Sequence, residues 1–228
     1  MKICSWVKDL EGTFKVKDSR IEILSGIFRP PKVTYPQITF VERQECKDTE
    51  GIVILEKDKL ELIIDDLDII EKQIFKGNLQ TELLEKAKSI LEKEKFIYEN
   101  ILPQERIYLK NIGLKSTEPV FIIKEEKLQN RDELLKEIFS FFGYIIFFTC
   151  NQKELRAWSI KKGTTAVEAA AKIHTDIARG FIKAEVISFD VLSKYKRISE
   201  IKQRNLVRYE DKDYVVNDAD FITFKFNV

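Results

Sequence analysis

Six of the fifteen residues from Lys194 to Arg208 are cationic: Lys194, Lys196, Arg197, Lys202, Arg204 and Arg208, with Glu200 the one acid among them. Fixed positive charge at that density suits a phosphate backbone, whose condensed counterions basic side chains displace on binding. With Arg156, Lys161 and Lys162 added, the set reads as a basic face for RNA or another partner. On spacing alone it also reads as a solvated helix–loop surface. Tyr195, Tyr209 and Phe181 could stack on bases or sit half in the core.

Catalytic groupings are scarcer. His174 is the single histidine, so neither a triad nor a multi-histidine metal site can be assembled, and it reads as a hydrogen-bonded structural residue. Asp65, Asp66 and Asp68 resemble a carboxylate pair, yet their helical spacing describes a solvated face. Gly163-Thr164-Thr165 looks like a phosphate loop, but Thr165 with Glu168 is sufficiently explained as a capping box. Cys4, Cys46 and Cys150 are odd in number and scattered, with no CxxC, so no disulfide or structural zinc is expected and a reducing cytoplasm is. No catalytic, cofactor or metal site is expected.

These residues need a scaffold, and the composition supplies one. The 228 residues carry 39 basic and 38 acidic groups and are 44% hydrophobic, enough for one large core or two small ones. A net charge of +1 excludes a strongly cationic arm or an acidic solvating tail. The most apolar run, Ile138–Cys150, is thirteen residues where a membrane span needs roughly twenty, so it is expected in a core. No h-region of a signal peptide is read near the start.

Periodicity places the elements. Residues 14–17 suggest a strand, and Asp18-Ser19 caps a helix to Phe28 that Pro30-Pro31 ends. Ile38–Val41 is strand-like. From Asp58, Leu60, Ile63, Ile64, Leu67, Ile70 and Ile74 follow a helical period. After the Gly77-Asn78 stop, Leu83, Leu84, Ala87, Ile90 and Leu91 begin a second helical register, which predicts an antiparallel helical hairpin of coiled-coil type. Strands are expected at 119–123, 145–149, 155–160, 182–189, 207–209, 213–216 and 221–227. Helices are expected at 131–142 and from Thr165 to a left-handed Gly180 cap.

The stretch Arg156–Asp176, the segment Arg179–Val186, and the close from Tyr214–Asp220 through Phe224–Val228 resemble the C-terminal TGS domain of the YchF family of Obg-related P-loop NTPases. Upstream, Arg20–Val41, Leu60–Lys72 and Glu118–Ile123 are similar to family segments in the same order. The resemblance implies nucleotide hydrolysis, but the motifs it requires are broken. No G-x-x-x-x-G-K-[ST] occurs, and the nearest trace is Leu10-Glu11-Gly12-Thr13. Glu42-Arg43-Gln44-Glu45 stands where the family has its Asp-x-x-Gly switch, and Glu125 and Leu128 stand where it has Asn-x-x-Glu.

The expected architecture is therefore α+β. Residues 1–143 form a degenerate, truncated α/β GTPase-like remnant with a helical hairpin at about 57–112, and 144–228 form a TGS-like β-grasp domain. The expected function is non-enzymatic docking on RNA, the ribosome or a protein partner, through the TGS face and possibly the hairpin, with self-association at an eroded sheet edge as a further expectation. Residual GTP or ATP binding is the alternative, as the resemblance implies. No membrane contact is expected, and the location is cytoplasmic.

Overall fold

The computed structural model describes residues 1–77 and 79–227. Asn78 of the expected stop signal and Val228 at the close of the expected C-terminal domain lie outside the described residues. In chain order the elements are β1 (Lys2–Ser5), β2 (Gly12–Lys15), α1 (Ser19–Phe28), β3 (Val33–Thr34), β4 (Gln37–Glu42), β5 (Ile52–Leu55), α2 (Lys59–Phe75), α3 (Thr81–Leu91), α4 (Ile97–Asn100), α5 (Pro103–Asn111) and β6 (Val120–Ile123). They continue with α6 (Arg131–Phe141), β7 (Tyr144–Cys150), β8 (Leu155–Lys161), α7 (Ala166–Ile173), α8 (Thr175–Arg179), β9 (Phe181–Ile187), α9 (Phe189–Tyr195), α10 (Ile198–Gln203), β10 (Arg208–Glu210) and β11 (Phe221–Phe226).

Two compact units result. One comprises Met1–Thr13 and Ile38–Leu134, and the other Phe14–Gln37 with the chain from Leu135 onward. Where a single cut at 143/144 was expected, the described chain divides discontinuously, because α1 and β3 find their partners in the C-terminal segment.

In the first unit the strand order is β2-β4-β1-β5-β6, with β1 parallel to both β4 and β5, and β5 parallel to β6. All four residues of β5 are buried, as in a parallel strand covered on both faces. Such a strand shows no alternation, which is why it escapes a periodicity reading. α3 follows its expected register, burying Leu84, Ala87 and Leu91. α2 follows its own only in part: Ile63 and Ile70 are buried, whereas Leu60 and Ile64 are exposed and Leu62, outside the expected stripe, takes their place in the core. The buried side chains pack with Cys4, Ile52, Ile54, Ile97 and Leu109 into one core.

Cys4 and Cys46 are joined as a disulfide with Cα atoms 4.9 Å apart, which corrects the expectation of unpaired thiols. Residues 42 apart in sequence meet because β1 lies parallel to β4, pairing Cys4 with Val41, and a 3-10 turn over Arg43–Glu45 brings the chain back. The cysteine count therefore no longer argues for a reducing compartment. Cys150 stays a thiol, half-buried, and burial pushes its pKa up.

The second unit has the order β10-β9-β11-β7-β8-β3. β7 and β8 form an antiparallel hairpin from Tyr144↔Lys161 to Cys150↔Leu155, β9 is antiparallel to β10 and β11, β11 is parallel to β7, and β3 is parallel to β8. Its core gathers Phe147, Ile160, Ala166, Ala169, Val186 and Ile222, and Phe28 of α1 stacks on Phe221 at 5.1 Å. The capping box is present: the Glu168 carboxylate accepts from the Thr165 N–H at 2.7 Å and its hydroxyl at 2.9 Å.

The alanine-rich helix is shorter than expected. His174 adopts an extended conformation (φ −162°, ψ 141°) that separates α7 from α8, and its Nδ1 accepts from the Asp176 N–H. Gly180 closes α8 at φ −92°, not left-handed. The position instead needs glycine because a Cβ there would lie 2.0 Å from the Asn227 carbonyl oxygen. Residues 213–216 are not a strand; Val215 makes a single bridge to Thr165.

Candidate functional site

Of the nine cationic candidates, the structure gathers one subset and separates another. Lys194 ends α9, Lys196 and Arg197 make the turn into α10, and Lys202 and Arg204 lie at the end of α10; all five are exposed. Tyr195 lies between two of them, with the Lys194 ammonium 5.3 Å and the Arg204 guanidinium 5.1 Å from its ring centre. Lys196 adopts φ 61°, a left-handed cap that turns the chain outward. Arg156, Lys161 and Lys162 instead lie on or beside β8, four places along the sheet from β10. At about 4.8 Å per strand that separation is roughly 19 Å. There Arg156 stacks on Trp158 at 4.0 Å, and Lys161 donates to the Phe142 carbonyl and covers Tyr144.

Much of this charge has a partner. Lys202 bonds Glu185 at 3.1 Å and Arg204 bonds Glu200 at 3.0 Å. Arg208 belongs to a structural network: it donates to Tyr214 Oη at 2.8 Å and lies 3.3 Å from Asp220, whose carboxylate is buried and accepts from Tyr214 Oη at 2.7 Å and the Asn217 N–H at 3.0 Å. Burial and the Asp220 bond push the Tyr214 pKa up. Arg208 is thus the counterion of a buried carboxylate. Lys162, Lys196 and Arg197 have no ion pair among the described residues, and Tyr209 is exposed on the edge strand β10. Phe181 is half-buried against Phe224, in the core rather than at a stacking surface.

Two further clusters escaped sequence reasoning. In the second unit a cavity of about 260 Å³ is lined by Asp18, Arg20, Lys136, Phe139, Tyr144 and Asp218, among others. Asp18 caps α1 by accepting from the Arg20 N–H at 2.8 Å, and the Arg20 side chain bonds both Asp18 and Asp218 at 2.7 Å. Burial opposes ionisation of Asp18, but Arg20 outweighs it and holds the carboxyl below its ordinary range. A guanidinium between two carboxylates is a satisfied ion network, with no base poised for proton transfer. The capping signal was legible in the sequence; its pairing with Asp218, 198 residues on, was not.

In the first unit Arg43 lies 3.6 Å over the Trp6 ring and Lys115 5.1 Å from it. Trp6 and Arg43 directly follow the parallel strands β1 and β4, the carboxyl rim where open α/β sheets bind ligands. Arg43 also pairs with Glu61 and, at 2.6 Å, with Asp65, which Lys115 bonds at 2.8 Å. Burial works against ionised Asp65, but Lys115 and Arg43 lower its pKa. Asp66 is fully buried, and its two oxygens accept from the Lys115 and Ser116 N–H groups at 2.8 Å each. Burial dominates there and raises the Asp66 pKa. Of the three aspartates expected on a solvated face, Asp68 is exposed, but Asp66 is a buried anchor and Asp65 an ion-pair hub, because both bond the 3-10 turn at Lys115–Thr117. The 3-10 turn at Glu125–Gln129 holds Glu125 and Leu128, with Glu125 paired to Lys57 at 2.6 Å.

Among the described residues no helix is long and apolar enough to cross a membrane, and no cluster of His, Cys, Asp and Glu could hold a metal ion.

Residues 144–227 match the YchF-GTPase_C family, described as a protein of unknown function (DUF933). The chain is 41% identical over 119 residues to the ribosome-binding ATPase YchF of Mycoplasma genitalium and 39% identical over 117 residues to that of Bacillus subtilis. Those alignments cover 51% and 50% of this chain but 32% of each relative, so the matched region spans about a third of their length. In fold, the chain is similar to the Schizosaccharomyces pombe YchF GTPase, with a TM-score of 0.73 at 17% identity over 96% of this chain and 88% of that one. By sequence over half of its length this mixed α/β protein is similar to proteins named YchF, and in fold over nearly all of its length it is similar to a YchF GTPase.

Proposed function

We propose that this chain is a non-enzymatic docking protein whose partner is the ribosome. Residues 144–228 act as its TGS-like β-grasp domain, and 1–143 as a degenerate GTPase-like region that no longer turns over nucleotide. The observation that carries the reading is the cationic cluster around Tyr195, exposed and partly unpaired, in a region similar to proteins named ribosome-binding. The lack of any G-x-x-x-x-G-K-[ST] string, and Glu45 at the position where the family has its switch glycine, support the loss of turnover.

Co-sedimentation with purified ribosomes tests it. Binding should fall steeply as salt rises, and Lys194→Glu, Lys196→Glu and Arg197→Glu together should weaken it at least tenfold and flatten the salt slope by about 3. Binding unaffected by these changes removes the cluster from the reading. Arg208 must be left intact, because its loss strands the Asp220 carboxylate.

The relatives' names also favour a second reading, that ATP or GTP binding survives without efficient hydrolysis. Calorimetric titration with Mg²⁺ and either nucleotide separates the two: micromolar, Mg²⁺-dependent affinity selects the second reading.

A further inference from the structure

α2 and α3 bury apolar side chains against each other and the core, yet two large ones at the turn between them are left outside. Phe75 is 93% exposed and Leu79 101%, while their neighbours Ile74 and Leu83 pack onto the core. Singly exposed apolar residues are ordinary; a phenylalanine and a leucine, both almost wholly in water and four residues apart where α2 gives way to α3, are not. Lys72 and Lys76 flank them, exposed and without an ion pair among the described residues, and no acid occurs from Lys72 to Thr81. Glu71, the nearest acid before them, is held by Lys88 at 2.9 Å.

We propose that Phe75 and Leu79 are a second docking point that enters an apolar cleft with an acidic rim on a protein of the ribosome. This rests on the ribosome-docking reading above. The partner's chemistry follows from the side chains. Leu79 has no π face and gains nothing from a base stack, so the pair is suited to an apolar cleft, and Lys72 and Lys76 require negative charge around its edge. RNA docking would be served by aromatic residues alternating with cations, the pattern around Tyr195 and not the pattern here.

The test replaces Phe75 with the photoreactive analogue p-benzoylphenylalanine and irradiates the full chain with purified ribosomes. An adduct on a ribosomal protein, at a site rich in Asp and Glu, is expected; an adduct on ribosomal RNA, or none, overturns the proposal. In parallel, Phe75→Ser with Leu79→Ser should weaken co-sedimentation at least about tenfold without changing the salt slope, as loss of apolar burial does. Both positions are solvent-exposed, so the melting temperature should hold and a folding defect would be visible as such. If the native chain sediments and the double variant sediments equally, the tip proposal fails alone. If the native chain does not sediment, the docking reading fails and this proposal with it.

Discussion

Asp66 shows how much a single carboxylate can do away from any reaction. It satisfies two N–H groups of the Lys115–Thr117 turn while itself fully buried. Asp66→Asn keeps the shape but turns an amide NH₂ toward one of those donors. It should cost about 1–3 kcal/mol, read as a lowered midpoint in urea unfolding. Asp65, one residue away, supplies the pH dependence. Its pKa is lowered in the folded state, so its contribution is present above the ordinary carboxylate range and is lost as pH falls through the folded value. The stability gap between the native chain and Asp65→Asn should therefore be widest near neutrality and close in acid. Gly180→Ala decides between two effects of opposite sign: alanine favours helix, but its Cβ would sit 2.0 Å from the Asn227 carbonyl oxygen. The clash should win by about 1–3 kcal/mol. Asp18 and Thr165 were legible in the sequence because a cap is a local pattern. Asp66 was not, since nothing within ten residues of it announces the turn that buries it.

Helices with a clear period were read within a few residues of their ends, as α2 and α3 show, whereas β5 and the break at His174 were not. β5 lacks alternation, and His174 sits between two alanine-containing helical runs with only the weak helix formers Thr175 and Asp176 beside it to mark a break; its extended conformation and its bond to Asp176 end α7. The disulfide was missed for a related reason, since spacing cannot show that β1 and β4 are neighbours. Closing a 42-residue loop, it should contribute about 4 kcal/mol in the chain-entropy picture. A reductant should lower the melting temperature of the native chain and leave that of Cys46→Ser unchanged; equal shifts in both would remove the cross-link from the account.

At the scale of the molecule, the near-zero net charge conceals a division. Residues 144–228 carry fifteen basic and eleven acidic groups, leaving twenty-four basic and twenty-seven acidic for the rest. A moderately positive C-terminal region is suited to approach a polyanion while the remainder is repelled, which orients an encounter more than it strengthens one. In the C-terminal segment the strands β7, β8, β9 and β11 and the Thr165 cap were legible from local pattern, whereas α9, α10 and the bridge at Val215 were not. The membership of α1 and β3 in that unit was invisible, because it depends on partners over a hundred residues away.

Those distant partners set a timetable for the newborn chain. Thr34 leaves the ribosome 122 residues before Arg156, its partner across β3 and β8, and Arg20 precedes Asp218 by 198. At about 5–20 residues per second, β3 waits roughly 6–24 s for its partner and the Arg20–Asp218 ion pair roughly 10–40 s. During that interval Phe28 has no ring to stack on and Ile21 and Leu24 no core to enter. The earliest-made piece of the second unit is thus among the last to be finished, while the first unit can close once β6 has emerged.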